Sequence, residues 1–92
     1  MYKQREILII PVPYTDLSSQ KKRPVVVVSN NYYNSLMEDI VVVAMTSNIE
    51  KRDYSILVSN KDIEDGALLY ESIIRVDKIY TLKQSIVLKR FA

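Results

Sequence analysis

The chain has 92 residues, 48% of them apolar and 26% charged, which supports one packed core and argues against disorder; a domain this small buries only about 60–65% of its unfolded surface, so its stability is marginal and oligomerisation would help it. It has no cysteine and no histidine, which removes disulfides, thiolate metal sites and the commonest acid–base side chain, and leaves any catalysis to Asp, Glu, Lys, Arg, Tyr, Ser or Thr. A net charge of +2 and a pI near 8.9 permit nucleic-acid contact without requiring it.

The segment Met1–Glu6 is not followed by a long apolar run. No stretch approaches the roughly 20 apolar residues of a membrane helix. A cytoplasmic, membrane-free protein with a single domain spanning residues 1–92 is expected. Glu6 to Val12 is short, apolar and β-branched, and Pro11 and Pro13 punctuate its end. That pattern predicts a buried strand whose far end lies at a sheet edge or leaves the sheet.

From Tyr14 to Lys22 the chain reads as a polar loop that gathers hydroxyls and then the cations Lys21, Lys22 and Arg23. Arg23 to Ser29 follows as a second strand, carried by four consecutive valines. Pro24 disfavours the helical region for Arg23 and holds its backbone extended. A guanidinium on an extended stem at a loop-to-strand boundary suits a phosphate or carboxylate, and equally a solvated face. Ser29, Asn30 and Asn31 can cap a helical turn over Tyr32–Met37.

Ile40 to Thr46 predicts a third strand that runs directly into Ser47. Glu50–Asp53 is a charged loop, Tyr54 to Ser59 a fourth strand, and Asn60 to Gly66 a turn around the only glycine. Ser72 to Tyr80 predicts a further strand whose period of two sets Ile73, Arg75, Asp77 and Ile79 on one face. Ser85 to Phe91 closes the chain as a last strand. Short strands, little helix and no βαβ rhythm give an all-β fold with minor α, a small antiparallel barrel or sandwich of five to seven strands, with the barrel favoured because closure removes sticky edges.

The run from Glu6 through Pro11, Pro13 and Asp16, the Lys22-Arg23-Pro24 step into the valine strand, Ala44-Met45-Thr46-Ser47, and Arg75-Val76-Asp77 followed by Thr81-Leu82-Lys83 together resemble the MazF/PemK (Kid) family of toxin–antitoxin ribonucleases. The motifs fall in the family's order across nearly the whole chain. The resemblance implies an SH3-like β-barrel of the CcdB/MazF kind. It also implies a homodimer that cleaves single-stranded RNA, usually messenger RNA, at a short preferred sequence, with no cofactor or metal, leaving 2′,3′-cyclic phosphate and 5′-hydroxyl ends. A cognate antitoxin is the implied inhibitor. Carried over by position, the catalytic set is Arg23, Thr46, Arg75 and Asp77. The RNA-binding set is Asp16, Ser18, Ser19, Lys21, Lys22, Ser47, Lys51 and Arg52, and the loop Tyr14–Gln20 is expected to act as a flap over the RNA. The sequence departs from the family in carrying Arg5 where members often have glycine, in lacking a loop histidine, and in ending at Ala92 where most continue into a helix.

The chemistry is compatible with these residue types. Attack by the RNA's own 2′-hydroxyl needs a base for that proton, charge neutralisation at phosphorus and a proton for the 5′ oxygen. The two arginines suit the second task better than proton donation, because a guanidinium holds its proton too tightly to give it up readily. Asp77 is a feeble base unless burial raises its pKa, and Arg75 beside it pulls the other way. Thr46 and Ser47 offer hydroxyls to phosphate or the 2′ position, and Tyr14 and Tyr54 are placed either to stack on bases or to pack the barrel. Two readings stay open beside the ribonuclease. One is an ordinary surface salt bridge at Arg75 and Asp77, on a module that only binds nucleic acid or protein. The other is a gyrase inhibitor of the CcdB type, which is expected to use a C-terminal helix.

Overall fold

The computed structural model describes residues 1–13, 20–46, 55–62 and 72–92. Among them six strands make one antiparallel sheet: β1 (Ile7–Pro13), β2 (Gln20–Val27), β3 (Asp39–Thr46), β4 (Ser55–Val58), β5 (Ser72–Lys83) and β6 (Lys89–Arg90). Their spatial order is β4-β5-β3-β2-β1-β6. The helix α1 (Asn31–Leu36) bridges β2 and β3. Its cap is Asn30, whose side chain accepts the Tyr33 N–H at 2.8 Å. This is the expected all-β class with minor α.

The β1–β2 pairing runs from Ile7 opposite Val26 to Pro13 opposite Gln20. Only Leu8 and Ile9 of β1 also pair with β6, so Pro11 and Pro13 lie beyond that pairing. Their missing N–H groups cost the sheet little there. The pairing also corrects the second strand's start: β2 begins at Gln20, so Lys21 and Lys22 belong to the hairpin arm with Arg23 rather than to a loop. Composition alone does not make a lysine pair a strand; cross-strand pairing with Val12 and Pro11 does.

The core joins Leu8 and Ile10 of β1, Val25 and Val27 of β2, and Ile40 and Val42 of β3, with Tyr2, Leu82 and Val87 packed against it. Burying each such aliphatic side chain contributes about 1.5–3 kcal/mol before chain entropy is counted. Farther along β3 the buried residues switch to Val43 and Met45. Facing opposite ways along one strand, these pairs show that β3 is covered on both sides, as its unbroken apolar run implies.

The switch coincides with a break in the β3–β5 register. Val43 faces Ile79, but the next residue, Ala44, faces Arg75. Val76, Asp77 and Lys78 therefore have no partners on β3, and an odd number of extra residues exchanges the faces of β5. Ile73 and Arg75 share a face as expected, whereas Ile79 lies on the other and is 60% exposed. Regular alternation across Ser72–Tyr80 is thus overturned by a bulge. The last strand is also shorter than expected, because β5 continues to Lys83, a 3₁₀ turn occupies Gln84–Ile86, and only Lys89–Arg90 pairs.

A polar clip closes the end of the core nearest the N-terminus. Asn34 is only 2% exposed. Its Nδ2 donates to the carbonyls of Tyr2 and Ser29, each at 3.1 Å, and its Oδ1 accepts from the Ser29 hydroxyl. Gln84 accepts the Tyr2 N–H through Oε1 and donates through Nε2 to the carbonyls of Asn34 and Met37. Four separate segments are tied by two amides. Just before β1, the Glu6 N–H donates to the Lys3 carbonyl at 3.2 Å, closing a tight turn in which Arg5 has φ 77°. That is the left-handed conformation glycine takes at the third position of a type II turn.

Candidate active site

Residues that face one another in antiparallel strands project to the same side of the sheet. Leu8, Val25, Ala44, Arg75 and Ser55 form one such row across five strands. Because Leu8 and Val25 belong to the core, the whole row lies on the core face, and the odd-numbered bulge is what turns Arg75 onto it. Without the bulge Arg75 would project from the opposite surface.

Two residues farther toward the same end, Ile10 faces Arg23 across β1 and β2, and Thr46 faces Ile73 across β3 and β5. Ile10 and Ile73 are buried, Thr46 is half-buried and Arg23 is exposed. Arg75, in the row of Leu8 and Val25, and Arg23 and Thr46, one step farther along beside Ile10 and Ile73, therefore lie on the core face toward the end where Arg23 is exposed. Thr46 and Arg75 are diagonal neighbours, a separation of roughly 7–8 Å that a long side chain spans. The β2–β3 ladder stops at Val25 opposite Ala44. Carrying its register two residues on sets Arg23 and Thr46 at facing positions.

Arg75 is held by a side-on fork. Its Nε donates to Asp77 Oδ1 at 2.9 Å and its Nη2 to Oδ2 at 2.7 Å. The Arg75 side chain is 18% exposed and the Asp77 side chain 38%. The fork uses two of the five guanidinium donors and fixes the plane of the group. Its hydrogen bonds raise the Arg75 pKa above the ordinary value and lower that of Asp77. Asp77 is thus ionised at neutral pH and is a weaker proton acceptor than an isolated aspartate. What the arrangement offers chemically is a fixed positive charge on a partly sheltered face, shared with a hydroxyl and a second arginine, which suits an anion with several oxygens.

Lys22 is exposed on β2 opposite Pro11, and the backbone of Lys21 pairs with Val12. The remaining expected RNA contacts, Asp16, Ser18, Ser19, Ser47, Lys51 and Arg52, lie outside the described residues, as do Tyr14, Tyr54 and nearly all of the proposed flap. The sequence reading passed over Ser55, whose place beside Arg75 becomes visible only from the β4–β5 register. Among the described residues no three His, Cys, Asp or Glu side chains are grouped to hold a metal ion, and no helix is long and apolar enough to cross a membrane.

Among curated proteins no sequence match was found. A solved structure, an endoribonuclease in complex with its cognate antitoxin from Mycobacterial species, is similar to this chain with a TM-score of 0.78 at 17% identity, over 100% of this chain and 78% of that one. At that identity the likeness speaks for the fold. Residues 3–92 match the family described as "PemK-like, MazF-like toxin of type II toxin-antitoxin system". With the order of motifs from Pro11 to Asp77 and the six-stranded sheet both in agreement, the chain belongs to this family of PemK-like, MazF-like toxins.

Proposed function

We propose that this chain is an endoribonuclease toxin that cuts single-stranded RNA, messenger RNA above all, at a short preferred sequence without a metal ion. The observation that carries the reading is the row geometry that puts Arg23, Thr46 and Arg75 on one face, toward the end where Arg23 is exposed. In the proposed reaction the 2′-hydroxyl oxygen bonds to the adjacent phosphorus and gives up its proton to solvent water. The bond from phosphorus to the 5′ oxygen breaks, and that oxygen takes a proton from solvent water. The products are a 2′,3′-cyclic phosphate and a 5′-hydroxyl.

Charge accumulates on the non-bridging phosphate oxygens as the fifth bond to phosphorus forms, and Arg75 and Arg23 answer that charge. Thr46 supplies a hydroxyl within reach of the same phosphate. Lys22 adds long-range attraction for the backbone. The nucleophile is part of the substrate, so neither an attacking water nor a metal-bound hydroxide is needed, and a chain without histidine can do this chemistry at a modest rate.

The active form is a homodimer in the cytoplasm, held in check by a cognate antitoxin whose acidic, unstructured tail lies along the basic face. Self-association is supported by the chain's small size and by large apolar side chains left exposed, among them Tyr32, Leu36, Ile79 and Leu88. The test is to incubate purified protein with a long single-stranded transcript in EDTA. Discrete cuts by the wild type, slowed about 100-fold or more in Arg23→Ala, are expected. No cutting, or equal cutting by the variant, overturns the proposal; supercoiling inhibition without RNA cleavage points to a gyrase inhibitor of the CcdB type instead.

A further inference from the structure

We propose that Asp77 is a positioning residue that acts through Arg75, and that it does not serve as the base for the 2′-hydroxyl. The inference rests on the ribonuclease reading and assigns roles within that same site. Asp77 sits in the three-residue insertion Val76–Lys78, which has no partner on β3. From there both of its carboxylate oxygens turn back onto Arg75, Oδ1 to Nε and Oδ2 to Nη2. A carboxylate that receives a guanidinium edge through both oxygens commits one lone pair on each, the more basic inner pair of its four acceptor sites. Acting as a base would leave it only its less basic outer lone pairs, or require it to leave the fork at the moment Arg75 is needed against the phosphate.

The bulge and the fork form one device. The insertion turns Arg75 onto the core face, and a residue of the insertion then locks the guanidinium plane, leaving the far edge of the group for a phosphate oxygen. A flexible arginine would have to be ordered by the substrate itself, and Asp77 orders it in advance. The lowered pKa of Asp77 agrees with this role, because the clamp stays charged through the neutral range.

The experiment separates binding from proton transfer. The cut made by wild type in a transcript is mapped first, and an oligonucleotide spanning it is made with a 2′-deoxy nucleotide at the attacking position, so that no proton has to be removed. Binding is measured by fluorescence anisotropy for wild type, Asp77→Ala, Asp77→Asn, Arg75→Ala and the Arg75→Ala/Asp77→Ala double variant, with circular dichroism checking that each is folded. Asp77→Ala is expected to weaken binding of this uncleavable RNA about tenfold, as does Arg75→Ala. The double variant should be no worse than Arg75→Ala, since the two act as a unit. Asp77→Asn keeps one acceptor for the fork and should retain more cleavage activity than Asp77→Ala. Unchanged binding in Asp77→Ala with cleavage abolished equally by Ala and Asn would overturn the inference and make Asp77 the base. A wild type that cuts no RNA would instead refute the ribonuclease reading, and the clamp is then judged by the nitrogen-15 signal of Arg75 Nε, which Asp77→Asn should shift and broaden; an unmoved signal counts against it.

Discussion

Asn34→Ala removes the centre of the polar clip. The side chain makes three hydrogen bonds, two from Nδ2 to the carbonyls of Tyr2 and Ser29 and one accepted by Oδ1 from Ser29. The Ser29 hydroxyl keeps its bond from the Val41 N–H, so the change strands two carbonyls and one hydroxyl donor in a place where Asn34 itself is 2% exposed. At about 1 kcal/mol per neutral hydrogen bond, the expected loss is about 3 kcal/mol. That is a large share of the roughly 5–14 kcal/mol available to a domain of this length. In thermal terms it is a fall of roughly 12–24 °C in Tm. Urea melts followed by circular dichroism give the number directly, with an unchanged m-value as the sign that the unfolded state is not altered. Asn34→Asp is expected to be worse still, because it places a charge against two carbonyl oxygens. A loss below about 1 kcal/mol for Asn34→Ala would refute the claim that this amide holds the N-terminal segment, Ser29 and α1 together.

Two further outcomes are expected. Arg5→Gly relieves a left-handed residue at a cost of about 1–2 kcal/mol, part of which returns as extra freedom in the unfolded chain, so the variant should be more stable by about 0.5–1 kcal/mol; a scanning calorimetry Tm that is unchanged or lower contradicts the turn geometry. In a carbon-13 NMR titration, Asp77 should protonate below the ordinary value of 3.8 and move up toward it in Arg75→Ala. Because the folded-state pKa is the lower one, whatever stability the fork supplies is present above the unfolded value and lost as pH falls through the folded value. Identical titrations in the two proteins would mean that the fork does not persist in solution.

The elements legible in the sequence were those whose signal is local. β1 and β3 announced themselves as β-branched runs, the prolines marked where β1 outruns its second partner, and Asn30 capped α1 as its type and position imply. The proposed site residues rest on family motifs rather than on pattern, since Arg23 and Thr46 read equally well as a solvated cation and a strand-end hydroxyl. What stayed hidden depends on partners distant in the chain. The lysines at the start of β2 become strand because β1 lies beside them, and the change of face on β5 arises from three residues that β3 does not match, which regular alternation cannot signal. Asn34 and Gln84 gave no warning of burial, because their partners are backbone groups of segments far away in sequence.

The central claim is that the RNA supplies its own nucleophile at a site built from Arg23, Thr46 and Arg75. Once a cut has been mapped, replacing only the nucleotide on its 5′ side by the 2′-deoxy form tests this most directly. The account predicts that cleavage at that bond disappears while other sites are still cut, and that the natural substrate yields a 2′,3′-cyclic phosphate and a 5′-hydroxyl. Undiminished cleavage of the 2′-deoxy substrate, or a 5′-phosphate end, would contradict it.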